Sequence, residues 1–193
     1  MHIVFYGPEG SGKGTQAKLL SKKLNLPLIT FGDLVREAAK KDSGLIGKAA
    51  RKALLEGKYM PNSEAFVLWK NRLKKDDAKK GWIIDGFPRN IGQAKFLITK
   101  IKKYGYQLDW VIYLSISEEE TLKRLSKRKR TLFPGSKIIH DDPQRVRGRL
   151  AEYKKNEKEL IDYFKKMDVL LSINGEDSIT NLHKNICKKL NIN

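Results

Sequence analysis

Residues 3–16 read IVFYGPEGSGKGTQ, an apolar run that leads into a glycine-rich turn. The run at residues 3–6 predicts a buried β-strand, and the apolar spacing of Ala17, Leu20 and Leu24 predicts the buried side of a helix. The turn at residues 7–13 fits the pattern G-x-x-x-x-G-K. In a strand–turn–helix context, backbone N–H groups can turn inward around a phosphate, and the helix N-terminus adds positive potential. The stretch therefore predicts a βα unit that binds nucleotide phosphates.

The end of this motif predicts how a metal ion is held. Gly14 occupies the usual Ser/Thr position, and the hydroxyl comes one residue later at Thr15. Direct ligation of Mg²⁺ by that hydroxyl is therefore not expected, and the ion would keep most of its waters. Asp33 and Asp85 follow the second and third predicted strands, at the sheet edge where open α/β sheets bind ligands. We expect these two carboxylates to hold Mg²⁺ through water.

Further apolar runs alternate with helical patterns along the chain. The runs predict strands at 28–29, 82–84, 110–114 and 169–173, and the patterns predict helices at about 33–56, 62–79, 90–103, 118–128, 143–166 and 178–190. This alternation predicts an α/β fold with a five-stranded parallel sheet that is covered by helices on both faces, as a three-layer sandwich.

The charge is strongly positive and unevenly distributed. The 193 residues include 40 Lys or Arg and 22 Asp or Glu, for a net charge of +18. Residues 121–149 hold ten of the cations against two Asp. Arg side chains match phosphate oxygens bidentately, so this cluster favours a phosphate-bearing partner, either a nucleotide or a nucleic acid. Residues 129–142 contain Pro134-Gly135 and little periodicity, and they predict a mobile loop between two helices. A nucleic-acid-binding protein that uses the glycine-rich turn as a switch is the alternative, but only Phe133 interleaves with the basic loop and no RNA-recognition signature is present.

The composition excludes several other classes. Cys187 stands alone, which excludes an intramolecular disulfide framework and a Cys-rich zinc site. No apolar run approaches the roughly 20 residues that a membrane-spanning helix needs. The first residues lack a basic region and a signal-length apolar stretch, so a cytoplasmic location is expected.

Five motifs together resemble one known family. They read GPEGSGKGTQ at 7–16, GDLVR at 32–36, DGFPR at 85–89 followed by Gln93, RLSKR at 124–128 and RLAEY at 149–153. In this order the motifs resemble the adenylate kinases, which are nucleoside monophosphate kinases, over nearly the whole chain. The resemblance implies a P-loop NTPase fold and reversible Mg²⁺-dependent transfer, ATP + AMP = 2 ADP, by a monomer that needs no zinc, membrane or specific nucleic acid.

The resemblance also implies roles for individual residues. The core domain would comprise residues 1–29, 73–128 and 143–193, with a helical monophosphate-binding domain at 30–72 and a short lid at 129–142. The metal would be held through water by Asp33 and Asp85. The implied catalytic residues are Lys13, Arg89, Arg128 and Arg149; the ATP-binding residues are Gly10, Ser11, Gly12, Lys13, Gly14, Thr15, Arg124 and Arg128; and the AMP-binding residues are Thr30, Phe31, Arg36, Lys58, Met60, Gly86, Arg89, Gln93 and Arg149.

Among the departures from the family pattern, two positions leave alternatives open. Phe31 stands where a small polar residue is usual beside the acceptor base, so another acceptor such as CMP, UMP or dUMP is the alternative to AMP, although Gln93 favours adenine. Ile139 stands where the lid usually carries an Arg, and Lys137 or Arg130 could replace that cation.

Overall fold

The computed structural model describes residues 1–128, 130–132 and 137–192 of the chain. The Pro134-Gly135 part of the expected lid lies outside the described residues. The fold class expected from the sequence is confirmed: a five-stranded sheet, parallel at every strand pair, lies at the centre of an α/β structure. The strands are β1 (His2–Tyr6), β2 (Leu28–Thr30), β3 (Trp82–Asp85), β4 (Trp110–Ser115) and β5 (Leu170–Asn174).

The strand order across the sheet is β2-β3-β1-β4-β5. The chain therefore places β2 and β3 on one side of β1, and β4 and β5 on the other, which makes the C-terminal end of β1 a topological switch point. Ligands of open parallel sheets bind in the crevice that forms at such a point. The glycine-rich turn begins at Gly7, directly after β1.

Side chains of β1 alternate between two separate cores. Ile3 and Phe5 point to one face, and Val4 and Tyr6 point to the other; the four are at most 5% exposed. Helices cover both faces, so the strands are apolar on both sides, as is typical of a buried parallel sheet. The helices are α1 (Lys13–Leu24), α2 (Phe31–Lys41), α3 (Leu45–Glu56), α4 (Asn62–Arg72), α5 (Ile91–Lys103), α6 (Glu118–Arg128), α7 (Pro143–Lys166) and α8 (Ile179–Lys189).

Most helices begin at a residue that caps them. Asn90 accepts the backbone N–H of Gln93 at the start of α5, and Ser178 accepts that of Asn181 at the start of α8. Asp142 accepts two backbone N–H groups at the start of α7, where Pro143 occupies the first turn. These polar caps satisfy donors that have no partner inside the helix.

Two of the expected helices are wrong in extent. The expected helix at 33–56 is two helices, α2 and α3, because the Asp42 side chain accepts the N–H of Gly44 at 2.6 Å and turns the chain between them. The expected helix at 62–79 ends at Arg72 and is followed by a short 3₁₀ helix, Asp76–Lys80. The Arg72 guanidinium pairs with both oxygens of Asp77 across this break.

Over the described residues, no helix combines the length and the apolar character that crossing a membrane requires.

Candidate active site

A cavity of about 820 Å³ lies at the C-terminal ends of the strands, above the switch point. Its volume is toward the upper end of the roughly 300–1,000 Å³ that ligand pockets occupy. Among the described residues, cations outnumber acids on its walls by eight to four, which favours an anionic ligand. The cations are Lys13, Arg36, Lys58, Arg89, Arg124, Arg128, Arg130 and Arg149, and the acids are Glu9, Asp33, Asp85 and Asp177.

The phosphate-loop motif has the backbone shape that its glycines permit. Gly12 has φ 90° at the start of α1, a left-handed conformation that side chains rarely adopt. A Cβ at Gly7 would lie 2.3 Å from the carbonyl oxygen of Leu114 on β4, so only glycine fits where the chain leaves β1. The loop therefore wraps closely over the sheet edge and presents the N-terminus of α1 to the cavity.

Lys13 lies inside this loop. Its Nζ donates to the carbonyl oxygen of Pro8 at 2.7 Å and lies 3.5 Å from the Ser11 hydroxyl. Burial lowers the pKa of Lys13, while the carboxylates of Asp85 and Glu9 oppose that shift. The ammonium group is thus held beside the cavity by two uncharged oxygens, and an entering phosphate oxygen, which carries a negative charge, could replace them as its partner.

Asp85 ends β3 and faces the first turn of α1. A Cβ at Gly14 would lie 3.2 Å from the Asp85 carboxylate, so the absent side chain at position 14 leaves room there. Burial raises the pKa of Asp85, and the nearby cations Lys13 and Arg89 act in the opposite direction. Within the described residues no hydrogen bond reaches this carboxylate. A hard oxygen ligand of this kind fits Mg²⁺, which prefers carboxylates and waters.

The second carboxylate, Asp33, lies in the first turn of α2. Its side chain, 68% exposed, accepts from the Thr30 hydroxyl and from Arg36 at 2.6 Å. Thr30 in turn caps α2 by accepting the N–H of Asp33. Burial opposes ionisation of Asp33, but the hydrogen bonds from Thr30 and Arg36 outweigh it and lower its pKa. Thr30, Asp33 and Arg36 all line the cavity.

Arg89 lies between the start of α2 and residues 57–60, with its guanidinium 5.3 Å from the centroid of the Phe31 ring. Its Nε donates to the carbonyl oxygen of Gly86 at 2.8 Å, and its guanidinium lies over the Tyr59 ring. Lys58 and Met60 line the same wall. These contacts place the guanidinium over an aromatic ring, and Arg89 lines the cavity.

Two of the expected AMP-binding side chains lie behind the wall. Phe31 is 1% exposed and packs against Trp69 and Phe87. Gln93 is equally buried; its amide oxygen accepts the backbone N–H of Arg89, and its amide nitrogen donates to Asn62. Neither is among the described residues that line the cavity.

Arg124 joins the phosphate loop to the far end of the cavity. Its Nη1 donates to the carbonyl oxygens of Gly10 at 3.3 Å and Gly175 at 2.9 Å, and its Nε donates to Glu120. Beyond it the wall continues through Asp177 and Ile179. The side chain therefore stands at the side of the loop that lies away from Arg89 and Arg36.

Arg128 is held by a carboxylate from the expected lid. Nε and Nη2 of Arg128 donate to the two oxygens of Asp141 at 2.9 and 2.8 Å, and the Asp141 side chain is fully buried. Arg130 lies 3.8 Å from the same carboxylate and also lines the cavity, whereas Lys137 does not appear on its described wall. Of the two cations that could replace the missing lid Arg, Arg130 is the one at the cavity.

Arg149 is paired in the same way with a residue of the phosphate loop. Its Nε and Nη2 donate to the two oxygens of Glu9 at 2.7 and 2.9 Å, and Nη2 also donates to the carbonyl oxygen of His140. Burial opposes ionisation of Glu9, but the bonds and charge of Arg149 outweigh it, so the pKa of Glu9 is lowered. Glu9 is therefore ionised at neutral pH.

Sequence reasoning missed Glu9, and it considered only the backbone of Tyr59. Glu9 occupies a variable position of the motif, and its partner lies 140 residues away, so no local pattern signals the contact. The sequence signal for Tyr59 was its place between Lys58 and Met60. Glu9, His140 and Asp141 also bring possible metal ligands within 4.8 Å of one another, but Arg149 and Arg128 hold the two carboxylates.

Comparisons with known proteins agree with these motifs. A family model described as adenylate kinase matches residues 5–169. The chain is 35% identical to the adenylate kinase of Archaeoglobus fulgidus over 96% of both chains. It is 36% identical to the adenylate kinase of Thermosipho africanus, over 96% of this chain and 97% of the relative. It is 37% identical to adenylate kinase 1 of a Nostoc species over 91% of both chains.

Proposed function

The chain belongs to the adenylate kinase family, and on that premise we propose that it catalyses the reversible reaction ATP + AMP = 2 ADP. It is a phosphotransferase whose acceptor is itself a phosphate. One observation carries the proposal: a single cavity holds the phosphate loop at its centre and has a separate group of cations on each side of it. Two nucleotides whose phosphate chains meet end to end need this arrangement.

The proposed donor end lies between the phosphate loop and α8. The backbone of Gly10, Ser11, Gly12, Gly14 and Thr15 would surround the β- and γ-phosphates, with Lys13 as their cation. Arg124, bonded to the carbonyl oxygens of Gly10 and Gly175, would lie on the adenine. ATP would enter with its phosphates directed at the centre of the cavity.

The proposed acceptor end lies between β3 and residues 30–60. Arg36 and Arg89 would hold the phosphate of AMP, and both guanidinium groups line the cavity. Thr30, Lys58, Met60 and Gly86 would line the base pocket. Phe31 and Gln93 would contribute from behind this wall, so the Gln93 amide would have to give up Asn62 or the Arg89 N–H to bind adenine directly.

Phosphoryl transfer needs little covalent help from a protein. It needs two nucleotides in line and positive charge around the oxygens of the transferring group. Lys13, Arg89, Arg128 and Arg149 would provide that charge, with Arg130 beside Arg128. The acceptor phosphate of AMP would attack the γ-phosphorus of ATP, and ADP would leave as the bond to the β-phosphate oxygen breaks.

The enzyme would use Mg²⁺ bound to ATP. Asp85, and Asp33 beside it, would hold the ion through its waters, and the ion would neutralise charge that develops on the phosphates. Gly14 leaves the space next to Asp85 that such a hydrated ion needs.

We also infer the domain arrangement from the placement of these groups. Residues 30–72 would form the monophosphate-binding domain and residues 129–142 the lid, with residues 1–29, 73–128 and 143–193 as the core. Closure of the monophosphate-binding domain and the lid over the nucleotides would exclude water, which is a competing acceptor. A monomer in the cytoplasm that acts on ATP and AMP is the expected form of the protein.

Comparing acceptors tests this function. With Mg·ATP as donor, kcat/KM should be highest for AMP among AMP, CMP, UMP and GMP. A higher kcat/KM for CMP or UMP would instead assign the chain to pyrimidine monophosphates. Lys18→Ala, an exposed lysine on α1, is the control and should leave all four values unchanged.

A further inference from the structure

The phosphate loop carries an acidic side chain at a point where a ligand phosphate is expected. Glu9 lines the cavity, and its side chain is 24% exposed, whereas that of its partner Arg149 is only 5% exposed. The pair is bidentate, with one carboxylate oxygen on each of Nε and Nη2. A carboxylate and a phosphate present two oxygens to a guanidinium in similar geometry. Glu9 therefore occupies the position on the Arg149 guanidinium that a ligand phosphate would take.

The remaining donors of Arg149 leave no other place for a ligand. Nη2 also donates to the carbonyl oxygen of His140 at 3.0 Å. Nη1 is buried and has no hydrogen-bond partner among the described residues. With its Nε–Nη2 edge occupied and Nη1 closed off from solvent, Arg149 cannot bond a phosphate oxygen in this arrangement. A buried donor without a hydrogen-bond partner destabilises a structure, so the pairing with Glu9 does not satisfy all the donors of Arg149.

We propose that the Glu9 carboxylate is an internal anion, which occupies Arg149 in the empty enzyme and is exchanged for a phosphate group of the ligand. The proposal rests on the proposed function in that Arg149 contacts phosphate during turnover. Exchange replaces one bidentate anion with another, so the number of charged hydrogen bonds on Arg149 is conserved. The released carboxylate faces the cavity and the solvent.

Two consequences follow for ligand binding. The empty site does not hold an unpaired buried cation, which would otherwise be unfavourable. Every phosphate ligand has to displace Glu9, so the ligand binds more weakly than the cations alone would allow and also leaves more readily. Removing the Glu9 charge should therefore tighten binding of polyphosphate, which is the opposite of what loss of a positioning group would do.

The test measures the binding of inorganic tripolyphosphate to the full chain by titration calorimetry near neutral pH. Glu9→Gln keeps the size of the side chain and removes its charge. The dissociation constant of tripolyphosphate should fall by about fivefold or more in E9Q. Glu152→Gln, an exposed carboxylate on α7, makes the same change in net charge and should shift binding by less than about twofold.

The same substitution in a protein that already carries Arg149→Lys distinguishes exchange at Arg149 from a general effect of charge. In an R149K protein the carboxylate loses its bidentate partner, so adding E9Q should tighten tripolyphosphate by less than about twofold. Unchanged or weaker binding in E9Q, or equal tightening with and without Arg149, would overturn the proposal. If E9Q does not fold, Glu9→Ala is measured in the same way.

This experiment is independent of the acceptor. Tripolyphosphate needs only the phosphate loop and its cations, so tightening in E9Q without turnover of AMP would reject the proposed function and keep the exchange. Turnover of AMP with unchanged tripolyphosphate binding in E9Q would do the reverse.

Discussion

The guanidinium of Arg89 lies 4.0 Å from the centroid of the Tyr59 ring. The Tyr59 hydroxyl donates to the carbonyl oxygen of Arg149 at 3.3 Å. One aromatic side chain from the segment after α3 therefore contacts both an arginine of the proposed acceptor site and the backbone of α7. Burial raises the pKa of Tyr59, so the hydroxyl remains a donor.

Tyr59→Ala should raise the KM for AMP by about tenfold, because Arg89 loses a stacking partner worth roughly 1–2 kcal/mol and becomes free to reorient. The KM for ATP should change by less than about twofold, since the donor end lies across the phosphate loop. Steady-state kinetics with each substrate varied in turn measures the two constants.

Tyr59→Phe is the matched control for this change. It keeps the ring over Arg89 and removes only the bond to the Arg149 carbonyl, so the KM for AMP should stay within about threefold of the wild-type value. An increase as large as that of Y59A would assign the effect to the hydroxyl instead of the ring.

Lys13→Ala should lower kcat by roughly 100- to 1,000-fold, because the transition state loses a preorganised charge worth about 3–4 kcal/mol. The ammonium group has no equivalent on the loop, and Lys18→Ala provides the comparison at an exposed site on the same helix. Single-turnover assays measure the chemical step. A K13A enzyme with a near-normal rate would remove Lys13 from the catalytic group.

Arg145 joins α7 to the end of α3. Its guanidinium donates to the carbonyl oxygens of Leu54, at 3.0 Å, and Leu55. These carbonyls are at the C-terminus of α3, where a cation is favoured, and residues 57–60 of the cavity wall follow directly. Arg145→Ala should lower stability by about 1–2 kcal/mol and raise the KM for AMP about fivefold. Chemical denaturation and steady-state kinetics measure the two effects.

Arg147 provides the control for charge in this helix. It lies two residues from Arg145 and is exposed. Arg147→Ala removes the same charge without the contact to α3, so both stability and the KM for AMP should stay near wild type. Equal effects of the two substitutions would mean that general charge, not the contact, controls the acceptor site.

His140 predicts how stability depends on pH. Burial, together with the charges of Arg149 and Arg130, lowers its pKa to about 4, although Glu9 and Asp141 oppose the shift. The unfolded chain takes up a proton near the ordinary histidine pKa of about 6.5, before the folded chain does. Stability should therefore fall as the pH is lowered from about 6.5 to 4. Because His140 is only partly buried, its share should be about 1–2 kcal/mol.

His140→Gln should flatten this dependence when unfolding is followed by urea titration at several pH values. The carbonyl oxygen that Arg149 uses belongs to the backbone and remains in place. His2 and His183 also have lowered pKa values, so part of the slope should persist. Identical slopes in the wild type and H140Q would show that His140 titrates normally in the folded protein.

Much of the architecture could be predicted because it depends on short-range patterns. The five strands were recognised from their apolar runs, and the phosphate loop from residues 7–13, since both are local. The expected helix across Asp42 and Gly44 was wrong, because a side-chain hydrogen bond that turns the chain competes with helical periodicity over only three residues.

Arrangement within the cavity could be predicted only in part. Contiguous motifs identified the expected cations, and those cations line the cavity. The burial of Phe31 against Trp69 was not foreseen, because it depends on where α4 packs.

The amino-acid sequence alone determined the parallel sheet, the phosphate loop and the set of arginines, because residue type and spacing over a few positions encode each of them. Only tertiary structure brings Glu9 into contact with Arg149, Asp141 with Arg128, and Arg145 with the end of α3. Each of these contacts joins groups that are 13 to 140 residues apart, and their geometry is set by how helices pack on the sheet and by which buried charges find a partner.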